Sequence, residues 1–315
     1  ADIASLLADP AISDLVPAGA DPEYKADFLM PSTTDEYLYL IWDYSGATPP
    51  PAVTPPLDTY TNASRAWGLR KLRTAYSGNC IKVRRDSDDT EQDIGFDGID
   101  LDTTALNTFC SGANGTITRF YDQSGNALDM VADSEVGQVK IYDATTGLVE
   151  VNNKPAAFFN GNSRYRQSQS FTHTSISVYS VTQFTGVASD LSRVVWGQRS
   201  ADGYTWITSD KAYIADTTTV HEINMTDATA NQEIRSYTYN SSTGAYTGFI
   251  DGASDTSGTF SYGTLRTHTL VGLGSMGNYS AQYKGYIQEV FYFLDDYSND
   301  NADIHDALNA YYAAY

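Results

Sequence analysis

Only two of the 315 residues are cysteine, Cys80 and Cys110. A disulfide framework is thereby excluded as the main source of stability, so a chain this long must rely on a hydrophobic core. Sequence alone leaves open whether the two pair, with two free, buried thiols the favoured reading. Basic residues are also scarce: 19 Lys and Arg stand against 39 Asp and Glu, a formal charge of −20 spread along the chain. Such a field repels phosphate backbones and argues against a nucleic-acid partner. No run of about 18 apolar residues occurs, and Ala1 to Ala20 has no basic region followed by an apolar core, so neither a membrane span nor an uncleaved signal peptide is expected. The histidines His173, His221, His268 and His305 lack ligand spacing, and no metal centre follows from them. Calcium has only two weak candidates, Asp86 to Asp89 and Asp97 to Asp102, which do not match the ordered ligand loop and read as solvated turns. No cofactor is expected.

What the chain does have is Tyr (24) and Gly (24), with Thr and Ser in short alternating runs. These residues suit a pleated, half-buried surface. Strands are expected at 81–84, 116–121, 156–159, 175–184, 193–196, 204–208, 233–239, 246–250, 267–273 and 286–294, a spacing that argues for two packed antiparallel sheets. In the run 175–184, Ile176, Val178 and, after a shift of phase, Val181 fall on apolar positions. A helix capped by Asn62 and carrying Ala66, Leu69 and Arg73 is expected to end at Gly78. A second, from about Asn299 with Ser298 as cap, carries Ile304, Leu308 and Tyr311 on its inward stripe. Upstream, Tyr37 to Tyr44 reads as an apolar strand, and Pro49, Pro50, Pro51, Pro55 and Pro56 mark an extended linker. The expected organisation is an arm over 1–57 and one β domain over 58–315. A strand so apolar outside the main domain needs cover, from homo-oligomer or assembly contacts or from packing of the arm against its own sandwich.

Two stretches carry a family resemblance. Arg65 to Gly78, then Ile81-Lys-Val-Arg-Arg-Asp-Ser-Asp-Asp89 and Phe120-Tyr-Asp-Gln-Ser-Gly-Asn126, resemble the start of the α-L-arabinofuranosidase B catalytic domain and of related modules in bacteriophage tail and spike proteins. Val271-Gly-Leu-Gly274, Tyr283 to Phe293 and Leu308 to Tyr312 resemble the close of laminin G-like, concanavalin A-like domains. The implied fold is mainly β: a concanavalin A-like jelly-roll sandwich of two antiparallel sheets, with an extended N-terminal arm and a short C-terminal helix. The resemblance implies a retaining glycosidase only where two carboxyl groups survive. The nucleophile's position corresponds to Thr205 or Trp206, and the acid's to Ser275 or Met276; none of these can fill the role. Asp202, Asp210, Glu222 and Asp227 are the nearby carboxylates that a slipped alignment could promote. Asp122 to Asn126 reads as a turn shaped by side-chain to backbone hydrogen bonds.

From the missing acids the sequence reading is loss of hydrolysis. It takes the chain as a non-enzymatic phage virion protein of the tail fibre, spike or capsid, in which the arm anchors to other virion proteins and the sandwich meets a host-surface glycan. Trp196, Tyr204, Trp206 and Tyr279 are the candidate glycan-binding aromatics, since sugar recognition rests on ring stacking and a few fixed hydrogen bonds. The alternatives are an arabinofuranosidase-like glycoside hydrolase with relocated carboxylates and a purely structural decoration protein.

Overall fold

The computed structural model describes residues 25–26, 42–43 and 53–315, apart from 173–174, 187–193, 201–202, 216–218, 262–266 and 276–281. The chain divides into two units, Ala1–Ala52 and Val53–Tyr315. In the first, Lys25–Ala26 pairs antiparallel with Trp42–Asp43; the rest of the expected strand at 37–44 lies outside the described residues.

The second unit is mainly β. Its first part holds β1 (Arg65–Gly68), β2 (Ile81–Arg85), β3 (Glu91–Ile94), β4 (Gly115–Phe120), β5 (Met130–Ala132), β6 (Val139–Asp143), β7 (Gly147–Leu148), β8 (Ala157–Asn160) and β9 (Tyr165–Thr172). The remainder holds β10 (Ile176–Phe184), β11 (Val194–Ser200), β12 (Gly203–Thr208), β13 (Lys211–Ala215), β14 (Val220–Asn224), β15 (Gln232–Tyr239), β16 (Ala245–Ile250), β17 (Ala253–Thr259), β18 (Thr267–Leu273) and β19 (Lys284–Phe293). Helices α1 (Pro56–Thr59), α2 (Thr103–Cys110) and α3 (Asn301–Tyr312) accompany them.

All 19 strands belong to one antiparallel sheet, nearly barrel-shaped. One run of pairings is β3-β2-β4-β6-β8-β19-β10-β15-β16-β17, and the other is β5-β9-β18-β11-β12-β13-β14. They are joined because β4 divides its edge: Thr116 and Ile117 bond to β6, while Arg119 and Phe120 bond to β5. The two expected sheets are thus continuous through shared backbone hydrogen bonds.

β10 is buried on both faces, and that accounts for its phase shift. Ile176 and Val178 enter the main core with Tyr237, Tyr239, Val290 and Tyr292. Tyr179 and Val181 join a second cluster with Ile234, Phe291 and the Ile304, Leu308 and Tyr311 stripe of α3. The register with β19 shifts only beyond these residues, between Val181 and Thr182. α3 begins at Asn301, and its flanking Asp300 makes no side-chain cap. Anchorage comes instead from a buried relay: the Gly252 N–H donates to His305 Nδ1 (3.0 Å), which places the proton on Nε2 facing Ser236 Oγ (2.8 Å), and Ser236 donates to Asn301 Oδ1 (2.9 Å).

Burial pulls the His305 pKa down from 6.5 to about 4. Because the unfolded chain then binds more protons than the folded one below about pH 6.5, stability falls as pH drops through that window. The expected loss between about pH 7 and about pH 5 is on the order of 2 kcal/mol. Urea unfolding of His305→Gln at both pH values should show a clearly flatter dependence than wild type, and equal slopes would refute the assignment.

The expected helix over 62–78 is instead β1 followed by an irregular loop. The reason is tertiary: β1 pairs with Glu289 to Tyr292 of β19, and Ala66 N donates to a carboxylate from the 120–126 turn. Just beyond it, Arg70 forms a bidentate pair with Glu289 (2.7 and 3.3 Å), and Tyr312 of α3 also donates to Glu289 (2.8 Å). Both charges are about 1 % exposed. Arg70→Met is expected to cost about 3–5 kcal/mol, whereas adding Glu289→Leu should recover most of it, since an unpaired buried charge is worse than none. Chemical denaturation of the single and double variants checks this.

Candidate active site

The turn that carries the strongest resemblance is a clamp. Asp122 is 3 % exposed. Its Oδ1 accepts from Ala66 N (2.9 Å) and Ser124 N (3.0 Å), and its Oδ2 from Ser124 Oγ (2.7 Å) and Leu128 N (3.0 Å). Gln123, fully buried, accepts from Leu72 N and donates to the Gly68 and Arg70 carbonyls. Asn126 reaches back to the Ser64 carbonyl (2.8 Å). These groups are spent on the turn itself and on the backbone of 64–72.

The positions at which a nucleophile and an acid were expected are closed. Thr205 is fully buried, its Oγ1 3.5 Å from His268 Nε2. Ser275 is fully buried beside Gly274, where φ is +70° and a Cβ would lie 2.2 Å from the Phe159 ring, so the glycine is obligatory. Trp206 lies on β12, its side chain beyond what is described, and Met276 is outside the described residues. Trp196 points into the main core with its ring 4.6 Å from Tyr292 and offers no face to solvent. Tyr204 lies on β12, and Tyr279 is outside the described residues.

Among the carboxylates set aside as replacements, Asp202 is outside the described residues. Asp210 accepts from Thr208 Oγ1 (2.8 Å), Glu222 pairs with Lys211 (3.0 Å) across the β13–β14 hairpin, and Asp227 is exposed. The acids considered for calcium are engaged in turns: Asp86 with Asn114, Asp88 with Arg85 and Thr90, and Asp102 as the cap of α2. Among the described residues no three His, Cys, Asp or Glu converge. Both cysteines are free and buried, and burial pushes the Cys110 thiol up to about 11.

One polar constellation does sit against the interior face. Along β15, Ile234 and Ser236 face α3, so by alternation Glu233 and Arg235 share the opposite face with Tyr237 and Tyr239. Arg235, 1 % exposed, donates from Nε to Glu233 Oε2 (2.7 Å) and from Nη2 to the Thr226 carbonyl (2.8 Å). Its Nη1 is buried and has no partner among the described residues. Glu233 Oε1 accepts from Thr229 N (2.9 Å) and Thr229 Oγ1 (2.7 Å). Tyr283 lies near Glu233 and Arg235, its phenol driven well above the ordinary range by burial.

Across from Ile234 is Asp251, in the left-handed region (φ 49°) of the turn between β16 and β17. Its Oδ1 accepts from Ile234 N (2.8 Å) and its N–H donates to the Ile234 carbonyl (2.9 Å), so it is held at the residue that follows Glu233 on β15. Burial raises the Asp251 carboxyl above the usual carboxylate range; the Ile234 N–H opposes, the Glu233 charge reinforces and Arg235 opposes. It is the one acid with a raised value among the described residues for which a shift is resolved. A carboxyl group raised by burial, one residue across from a carboxylate ion-paired to arginine, is an asymmetry of the kind that separates an acid from a nucleophile. The sequence reading passed over both, because Asp251-Gly252 signals only a turn and Glu233 only the start of a strand.

Comparison with known proteins gives a consistent direction. Residues 58–190 match the family model "Alpha-L-arabinofuranosidase B, catalytic". No curated protein matches the chain. Among solved structures, a mutant GH54 α-L-arabinofuranosidase soaked with 4-nitrophenyl α-L-arabinofuranoside superposes with a TM-score of 0.63 and 16 % identity over 82 % of this chain. An arabinofuranosidase complexed with arabinofuranosyl-α-1,2-xylobiose gives 0.59 and 18 % over 83 %. This chain spans 65 % and 66 % of the lengths of those two. These findings overturn the reading as a non-enzymatic phage virion, tail-fibre or host-attachment protein: family model and fold lead to glycoside hydrolases, and nothing in them leads to a virion. The model's match ends at residue 190, short of Thr205 and Ser275. Over residues 58–190 this chain is similar to the α-L-arabinofuranosidase B catalytic family model.

Proposed function

We propose that this protein is an arabinofuranosidase-like glycoside hydrolase that removes α-L-arabinofuranosyl groups from a saccharide, using carboxylates relocated to β15 and the β16–β17 turn. The observation that carries the reading is the family-model match over 58–190 on a fold shared with arabinofuranosidases over four-fifths of the chain. We read the near-barrel as a concanavalin A-like jelly roll, with Glu233 on its interior face. Asp251, its carboxyl raised by burial, is the acid that protonates the departing glycosidic oxygen while Glu233 attacks the anomeric carbon. Asp251, now a base, then takes a proton from the water that releases the sugar. Arg235 positions Glu233, and its unpartnered Nη1 is a donor that a sugar hydroxyl would satisfy.

The test is release of 4-nitrophenol from 4-nitrophenyl α-L-arabinofuranoside, and of arabinose from arabinofuranosyl-xylobiose, by the purified chain. Turnover that depends on Asp251 and Glu233 supports the reading, and its absence from folded protein refutes it.

A further inference from the structure

On the opposite face of the sheet from Glu233, three neighbouring strands bring one residue each into a row. Lys140 of β6 is paired with Phe158 of β8, and Phe158 with Tyr286 of β19. Their flanking residues Val139, Ile141, Ala157, Phe159 and Ile287 enter the main core, so by alternation the row points outward. All three are partly exposed. The Phe158 and Tyr286 rings lie 5.1 Å apart with a 44° tilt, forming the floor of an open cavity of about 440 Å³. Its wall is the β6–β7 hairpin and the segment after it, which contributes Asp143, Thr146 and Glu150.

The polar rim is fixed in place. Lys140 Nζ lies 2.7 Å from Asp143 Oδ2, while Asp143 Oδ1 accepts from Thr145 N (2.9 Å) and Thr146 N (3.3 Å). Lys140 and these two N–H groups hold the Asp143 carboxyl down near 2, so it remains an acceptor at any working pH.

We infer that this cavity is a non-catalytic subsite for one neutral sugar unit of an oligosaccharide. Charge selects the ligand class: one cation against two carboxylates, on a protein of formal charge −20, disfavours phosphates and acidic sugars. The rim of charged and hydroxyl groups disfavours a wholly apolar ligand. A neutral sugar fits both halves, laying its C–H face on the rings while its hydroxyls bond to Lys140, Asp143 and Glu150. The volume lies in the range of small-molecule sites and accepts a single ring with its linkage. The inference is independent of hydrolysis at Glu233, because the two sites occupy opposite faces.

The experiment is isothermal titration of the full chain with a panel of neutral pentose and hexose oligosaccharides, repeated on Tyr286→Ala and Lys140→Ala. Lys140 is at the rim, so its truncation leaves the fold intact should Tyr286→Ala fail to fold. The expected result is binding by wild type that weakens roughly tenfold or more in Tyr286→Ala and several-fold in Lys140→Ala, with release of sugar from a small aryl arabinofuranoside unchanged. Asp251→Asn should bind as wild type does, which keeps failure of the two sites distinguishable. Wild type that binds no oligosaccharide, or binding that both variants retain in full, overturns the inference.

Discussion

Asp251→Asn is expected to lower turnover of a chromogenic α-L-arabinofuranoside by about 10²–10⁴-fold, the usual share of a positioned general acid. The substitution is structurally mild. Asn tolerates the left-handed backbone at φ 49°, and its side-chain oxygen can still accept from Ile234 N. The loss should therefore appear in the rate and not in the unfolding curve. The alkaline limb of the pH–rate profile, where Asp251 gives up its proton, should disappear with it. Glu233→Gln should reduce turnover at least as far, but with a second signature: it keeps an acceptor for Thr229 and removes the counter-charge of Arg235. That variant is expected to be less stable by about 3 kcal/mol as well as inactive, because a buried guanidinium loses its partner. Asp210→Asn, whose carboxylate receives Thr208 Oγ1, should remain within about threefold of wild type. Full activity in both Asp251→Asn and Glu233→Gln would place the chemistry elsewhere.

The second large effect is on stability. Asp122→Ala deprives three backbone N–H groups, those of Ala66, Ser124 and Leu128, of their acceptor in a buried setting. Each stranded donor costs roughly 1–3 kcal/mol, so a total of about 3–9 kcal/mol is expected, a large part of the 5–15 kcal/mol typical of a domain. Asp122→Asn retains one oxygen and should lose about half as much. Urea unfolding curves compared at constant slope measure both. A cost below about 1 kcal/mol for the alanine variant would mean that the turn holds its shape without the carboxylate.

The same clamp explains where the sequence was legible and where it was not. The strands β10, β15, β16, β18 and β19 are apolar or alternating and bounded by turn residues, so their pattern survives without tertiary information. Residues 62–78 fail on the same logic. Ala66, Leu69 and Arg73 have helical spacing, yet Asp122, Gln123 and β19 supply the backbone partners that make this segment a strand and loop. The helix α2 was missed because its cap, Asp102, was read as one acid among many; it accepts from Ala105 N (2.8 Å).

The site was less visible than the fold for a related reason. The carboxylates were sought where a family pattern placed them, at Thr205 and Ser275, and the structure fills both positions with buried small residues. Glu233 and Asp251 acquire their asymmetry from partners that no local pattern displays: Arg235 folded back on Glu233, Thr229 beneath it, and the N–H of Ile234. Trp196 shows the converse error. Its type suggests a sugar platform, but its register opposite Leu273 of β18 turns it into the core.

The most direct test of the account is the steady-state release of chromophore from an α-L-arabinofuranoside by the full chain, with far-UV circular dichroism showing that the protein is folded. Saturable turnover on the order of 1 s⁻¹ or faster, lost in Asp251→Asn, is the predicted result. Folded protein that releases chromophore no faster than buffer would contradict it.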